Sequence, residues 1–267
     1  MTTATTKGTA LITGASSGIG AVYADRLARR GYDLILVARD QNRLTALASS
    51  ITTQTGRKVD ILPADLTIPT DVLRVEKRLS TDASITALVN NAGFGASSKL
   101  IDSNITELEN MIQLNVTALT RLTHAALPGL VARANGVIIN IASIVAVAPE
   151  LLNGTYGGTK AYVVAFTQSL QHEVGDKGVQ VQAVLPGATS TEFWDRAGLP
   201  VHNLPGEIVM TAEEMVDASL AGLDLHELIT IPSLPDYADW KRADDARLAL
   251  GPNLSRQHAA DRYKIAV

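Results

Sequence analysis

The chain of 267 residues contains no cysteine. That absence removes disulfides, thiol nucleophiles and cysteine-ligated metals together, and it fits a reducing compartment such as the cytoplasm. A basic surplus is missing too: 23 Lys and Arg stand against 27 Asp and Glu, a net charge of −4. Neither nucleic acid nor an anionic membrane surface is therefore an expected partner. No apolar run approaches the roughly 20 residues that cross a bilayer, and the opening MTTATTKG lacks the apolar core of a signal peptide. The histidines, His124, His172, His202, His226 and His258, show no metal-ligand spacing, and HExxH is absent, so no metal is expected. No linker rich in proline, glycine or serine divides the chain and no segment repeats; residues 1–267 read as one domain.

What remains is ordinary for a globular protein: 46% hydrophobic and 19% charged residues. Short apolar runs alternate with longer segments of helical period. TALIT (Thr9 to Thr13), DLILVA (Asp33 to Ala38), VDILPAD (Val59 to Asp65), ALVNNAG (Ala87 to Gly93), GVIINIAS (Gly136 to Ser143), VQVQAVLP (Val179 to Pro186) and LITIP (Leu228 to Pro232) read as strands. Their lack of strict alternation suits strands covered on both faces. Helix-length stretches lie between them: Gly18 to Arg30, Gln41 to Thr55, Asp71 to Leu79, Ile105 to Ala132 and Tyr156 to Gly175. This order predicts an α/β fold, a doubly wound (Rossmann) parallel sheet of about seven strands flanked by helices. Residues 188–210 break the pattern, and an irregular stretch of that length reads as a substrate lid. Phe193, Trp194, Leu199 and Val201 are its apolar candidates, with Phe94, Glu150 and His202 as further flanking residues. The polar tail, residues 233–267, reads as weakly helical at best.

TGASSGIG (Thr13 to Gly20) follows the first strand and opens the first helix. Glycines there permit a tight turn and close backbone approach, and a helix N-terminus offers N–H groups to phosphate. A dinucleotide pyrophosphate is the expected guest, held by Gly14, Ser16, Ser17, Gly18, Ile19 and Gly20. A P-loop would need GK[ST], and Gly20 is followed by Ala21. GASSG also matches a hydrolase nucleophile elbow, but Ser16 follows the first strand, so no earlier strand supplies an oxyanion hole.

The second strand ends at Ala38, then Arg39, with Arg43 one turn further on. A guanidinium without an acidic residue at the strand tip favours NADP(H), with NAD(H) as the alternative. Asp40 is the awkward neighbour, unless it turns away to cap a helix.

In NGTYGGTKAYVVAF, Tyr156 and Lys160 stand four apart on one helical face. A phenol titrates near pH 10, and a nearby ammonium is expected to lower that value toward working pH. Gly157 and Gly158 leave room beside them for another body. Ser143 ends a strand shortly before, and a doubly wound sheet holds its ligands at that carboxyl end. Asn115 sits in a helical stretch, where its alternative reading is a polar surface residue; Asn90 to Gly93 (NNAG) ends the fourth strand.

TGASSGIG, the Asp65-Leu66 pair, NNAG, Asn115, Ser143, Tyr156-x-x-x-Lys160 and Pro186-Gly187-x-x-x-Thr191 appear in order, and with them the chain resembles the short-chain dehydrogenase/reductase family, in its shorter single-domain branch. The resemblance implies that Tyr156 is the general acid/base toward a carbonyl or alcohol, with Ser143 orienting the substrate oxygen. Lys160 would bind the nicotinamide ribose and Asn115 would hold a relay water. Pro186, Gly187, Thr189 and Thr191 would cradle the nicotinamide, Asp65 and Leu66 the adenine, and Asn91, Ala92 and Gly93 would also line the cofactor. The reading is an NADP-dependent oxidoreductase. An NAD-dependent alcohol dehydrogenase and a non-catalytic dinucleotide-binding regulator are the alternatives, and the complete catalytic set argues against the regulator. A homodimer or homotetramer, paired through the stretches Ile105 to Ala132 and onward from Tyr156, is implied by the same resemblance.

Overall fold

The computed structural model describes residues 7–263; most of the opening MTTATTKG and the last four residues of the tail lie outside them. Two compact units are present, one ending at Pro232 and one starting at Ser233.

In chain order the first unit contains β1 (Thr9–Thr13), α1 (Gly18–Arg29), β2 (Asp33–Ala38), α2 (Gln41–Thr55), β3 (Val59–Pro63), α3 (Pro69–Thr81), β4 (Ile85–Asn90), α4 (Ile105–Ile112), α5 (Leu119–Ala132), β5 (Gly136–Ile141), α6 (Gly154–Val174) and β6 (Val179–Val184). There follow β7 (Thr189–Ser190), α7 (Phe193–Arg196), β8 (Met210–Thr211), α8 (Ala212–Asp224) and β9 (Ile229–Thr230). Seven strands form one sheet in the order β3-β2-β1-β4-β5-β6-β9, every pair parallel.

Neighbouring residues on a strand face opposite ways, and β1 shows the consequence. Ile12 joins Leu34 and Leu36 beneath Tyr23 and Leu27 of α1 and Met215 and Leu220 of α8. Leu11 joins Ile35, Leu88 and Ile138 beneath Val75 of α3, Leu122 of α5 and Leu170 of α6. Burial on both faces explains why these strands read as unbroken apolar runs. Strand order reverses between β1 and β4, which pair directly. The loops after those two strands diverge there and leave a crevice at the carboxyl edge.

The second unit carries α9 (Tyr237–Leu248), capped by Asp236, whose carboxylate accepts from Ala238 N. None of its residues is buried. A true helix thus stands where the tail read as weakly helical.

The expected helix over Ile105 to Ala132 is present along its whole length, but not as a uniform α-helix. Asn104 caps α4, the turn at residues 113–118 widens into a π-helix, and α5 resumes at Leu119. The expected irregular segment is also more ordered than its sequence suggests. β7 and β8 pair in parallel at its base, and α7 lies between them in sequence.

Candidate active site

Three loops meet at the crevice. The first is the glycine loop. Gly14 and Gly18 have φ of +65° and +52°, which side chains disfavour. A Cβ on Gly20 would stand 2.3 Å from Gly14 O. Ser17 caps α1 without a side-chain hydrogen bond, so the first-turn N–H groups stay available to an anion. Thr13 fixes this loop to the next: its hydroxyl donates to Val89 O at 3.2 Å and accepts from Asn91 N and Ala92 N at 3.0 Å. The Asn91 amide donates to Thr13 O at 2.9 Å and Gly14 O at 3.2 Å. Thr13 was not among the expected site residues; only the paired loops reveal its role.

Asn115 lies in the π-turn and is 2% exposed, which discards the surface reading. Its Nδ2 donates to Phe94 O at 2.9 Å and Thr159 Oγ1 at 3.1 Å, and its Oδ1 accepts from Phe94 N at 3.2 Å. The extra residue of a π-turn rotates this side chain inward from a helix that would otherwise carry it past. Gly93 lies between Asn115 and Lys160: a Cβ there would stand 2.9 Å from Asn115 Oδ1 and 3.5 Å from Lys160 Nζ.

Asn153 caps α6, its Oδ1 accepting from Thr155 N and Tyr156 N, and this places Tyr156 in the first turn. Gly157 packs against Pro149 and Val145, whereas Gly158 has nothing within 4 Å of its Cβ position. The two glycines therefore differ: the chain itself fills the space beside Gly157, and only Gly158 is open. Ser143 follows β5 in extended backbone; its hydroxyl accepts from Val145 N at 3.4 Å and donates to Pro186 O at 3.5 Å. Tyr156, Ser143 and Lys160 are all under 9% exposed.

The electrostatics correct the expected pairing of phenol and ammonium. Burial pushes Tyr156 up to about 12, with the Ser143 hydroxyl pulling the other way. Burial also pushes Lys160 down to about 8. Its Nζ donates to Ile141 O at 2.8 Å and stands 5.8 Å from the Tyr156 ring centre. One N–H of the ammonium is thus held by a strand carbonyl, and burial is the largest influence on the phenol.

At the other end of the crevice, Asp40 turns away as the cap of α2, accepting from Arg43 N at 3.0 Å. Arg39 is exposed, its Nη1 3.8 Å from Asp65 Oδ2. Asp65 Oδ1 accepts from Thr67 N and Thr67 Oγ1, while Leu66 is buried in the core. Beyond β6, Pro186 O also accepts from Ile144 N, and Thr189 Oγ1 donates to Gly187 O. Thr191 covers Gly18, whose Cβ would lie 3.0 Å from the threonine methyl. Of the apolar lid candidates, Phe193 packs 5.8 Å from Tyr156 between ring centres, and Trp194 is buried with its indole N–H donating to Thr189 O. Leu199 and Val201 are half-buried, and His202 and Glu150 are exposed. Among the described residues no group of His, Asp or Glu could hold a metal, and no helix is long and apolar enough to cross a membrane.

This crevice fits a dinucleotide. The fit rests on a cradle kept clear by glycines, a helix N-terminus for phosphate, and Arg39 at the β2 tip. Comparison with known proteins agrees. Residues 8–199 match the family described as short chain dehydrogenase. The chain is 50% identical to a short-chain dehydrogenase from Sphingobium yanoikuyae solved in complex with NADPH, with a TM-score of 0.93 over 96% of this chain and all of that one. It is 45% identical to the bulky-bulky ketone specific alcohol dehydrogenase of Comamonas testosteroni, with a TM-score of 0.88 over 96% of this chain and 98% of that one. A protein of Staphylococcus epidermidis described as an uncharacterized oxidoreductase is 34% identical over 75% of this chain and 88% of its own. Architecture, crevice and kinship agree: the chain is an oxidoreductase and belongs to the short-chain dehydrogenase family.

Proposed function

We propose that the protein is an NADP(H)-dependent reductase of ketones flanked by two bulky groups, running the reverse oxidation when alcohol is in excess. One observation carries the reading: Ser143, Tyr156 and Lys160 are buried together beside Gly93 and Gly95 of the loop after β4, with Asn115 turned toward them. The bound nicotinamide would supply or accept the hydride. Gly14, Ser16, Ser17, Gly18, Ile19 and Gly20 would hold the pyrophosphate, Arg39 the 2′-phosphate, Asp65 and Leu66 the adenine, and Asn91, Ala92, Gly93, Pro186, Gly187, Thr189 and Thr191 the nicotinamide half.

The chain's own groups handle the proton. A phenol held near 12 is fully protonated at neutral pH, so Tyr156 stands ready as an acid toward a carbonyl oxygen. Ser143 would donate a hydrogen bond to the same oxygen and fix its direction. Lys160, held near 8, would orient the ribose and pass a proton onward through water held by Asn115.

The apolar side chains of Phe94 and Phe193, packed with Tyr156, support a bulky apolar substrate. So does the 45% identical relative, whose name states that preference. A cytoplasmic homo-oligomer completes the proposal. The test is a carbonyl panel with NADPH: diaryl and aryl-alkyl ketones are consumed fastest. Faster turnover of sugars or polyols would overturn the substrate class.

A further inference from the structure

Three consecutive side chains tie the segment after β7 to three separate parts of the crevice. The Thr191 methyl lies on Gly18 of the glycine loop. Glu192 reaches the first turn of α2, where Arg43 Nη1 donates to both its carboxylate oxygens at 2.8 Å. Phe193 packs against the Tyr156 ring and lies so close to Gly95 that a Cβ there would stand 2.6 Å from its Cζ. The three side chains therefore fan out from one strap to the phosphate loop, the adenine end and the tyrosine in turn. Internally it is braced. The Trp194 indole donates to Thr189 O, Ala197 N to Phe193 O, and β7 pairs with β8.

The strap's charged attachment to the opposite rim is the Arg43–Glu192 pair. Arg196 Nη2 also donates to Glu192 Oε2, at 3.1 Å, but from within the same segment. Asp40 Oδ2 lies 3.6 Å from Arg43 Nε and steadies the guanidinium from its own helix. Each partner holds the other in its charged form, the carboxylate lowered and the guanidinium raised by their mutual hydrogen bonds.

We propose that the Arg43–Glu192 pair is a latch that holds this strap closed across the dinucleotide and sets how fast the cofactor leaves. The proposal rests on the reading of the crevice as a dinucleotide site. Glu192 is a positioning residue here, not a catalytic one. A latch acts on any dinucleotide beneath it, with or without a 2′-phosphate. That separates it from a competing role, in which Glu192 occupies Arg43 until the 2′-phosphate displaces it.

Dissociation of NADPH and of NADH is followed by stopped-flow fluorescence for the full chain and for Glu192→Gln, Arg43→Gln and the double variant. The latch predicts that koff for both cofactors rises about three- to fivefold in each single variant, the size of one exposed ion pair. The double variant rises no further, because the two residues act as one unit. Without any substitution, raising salt to about 0.5 M brings koff for NADH from wild type up to that of the variants, because exposed pairs are screened. An unchanged koff in Glu192→Gln, additive effects, or slower release of NADPH alone overturns the latch while the cofactor reading stands. Failure of wild type to bind either dinucleotide overturns both.

Discussion

A lysine ammonium hidden from water with one carbonyl partner is a cost carried for function. Lys160 has no carboxylate partner among the ion pairs of the described residues, and burial lowers its pKa from 10.5 to about 8. Between those values the unfolded chain holds more protons than the folded one, so stability rises with pH across that window. The burial cost is felt in full below pH 8 and fades toward 10.5. Replacing Lys160 by Met removes this dependence. The Tm of Lys160→Met relative to wild type is therefore most favourable near pH 7 and moves against the variant as pH rises to 10. Paired thermal melts check it, and a constant difference contradicts it. Tyr156 works the opposite way: raised from 10.0 to about 12, it contributes stability below pH 10 that is lost as pH climbs toward 12. Which residues gather here was legible in the sequence, because the side chains that carry acid–base chemistry stand at strand ends and on one helical face. Their electrostatics were not. Spacing puts Lys160 near Tyr156, but only the fold shows Nζ drawn to Ile141 O.

Elements were read well where one local rule governs them and poorly where tertiary packing intervenes. The Asp40 cap of α2 follows from an acidic residue before a periodic run. The π-turn holding Asn115 has no such local signature; it forms because Asn115 finds Phe94 and Thr159 inside. The Arg43–Glu192 pair was equally out of reach, since it joins residues 149 apart in sequence. Glycines give the sharpest tests at this scale. Nothing stands within 4 Å of a Cβ on Gly158, so Gly158→Ala recovers helix propensity and stabilises by about 0.5–1 kcal/mol, read as a Tm rise of about 1–4 °C. Gly20→Ala goes the other way. Its Cβ would meet Gly14 O at 2.3 Å, and a backbone oxygen in a tight turn cannot step aside. Loss of stability together with loss of dinucleotide binding is expected, and retained NADPH affinity would contradict the cradle.

For the whole molecule, strand number and parallel order followed from alternation of apolar runs with helical segments, because parallel strands need crossovers. Sheet order is a tertiary property, and the β1–β4 reversal that makes the crevice emerges only in three dimensions. All seven strands of that sheet precede Ser233. Truncation after Pro232 should accordingly leave a chain that unfolds in one cooperative transition by circular dichroism; a broad, non-cooperative melt would show that the second unit is needed for folding. The central claim concerns the proton donor within this frame. The measurement that tests it most directly is kcat/KM for a bulky aryl ketone with NADPH in wild type and Tyr156→Phe, with NADPH affinity measured on the same samples. A loss of about 10²- to 10⁴-fold in kcat/KM, with affinity changed less than about threefold, is the result predicted from a tyrosine acid. A loss under about fivefold, with cofactor binding intact, would place the proton donor elsewhere.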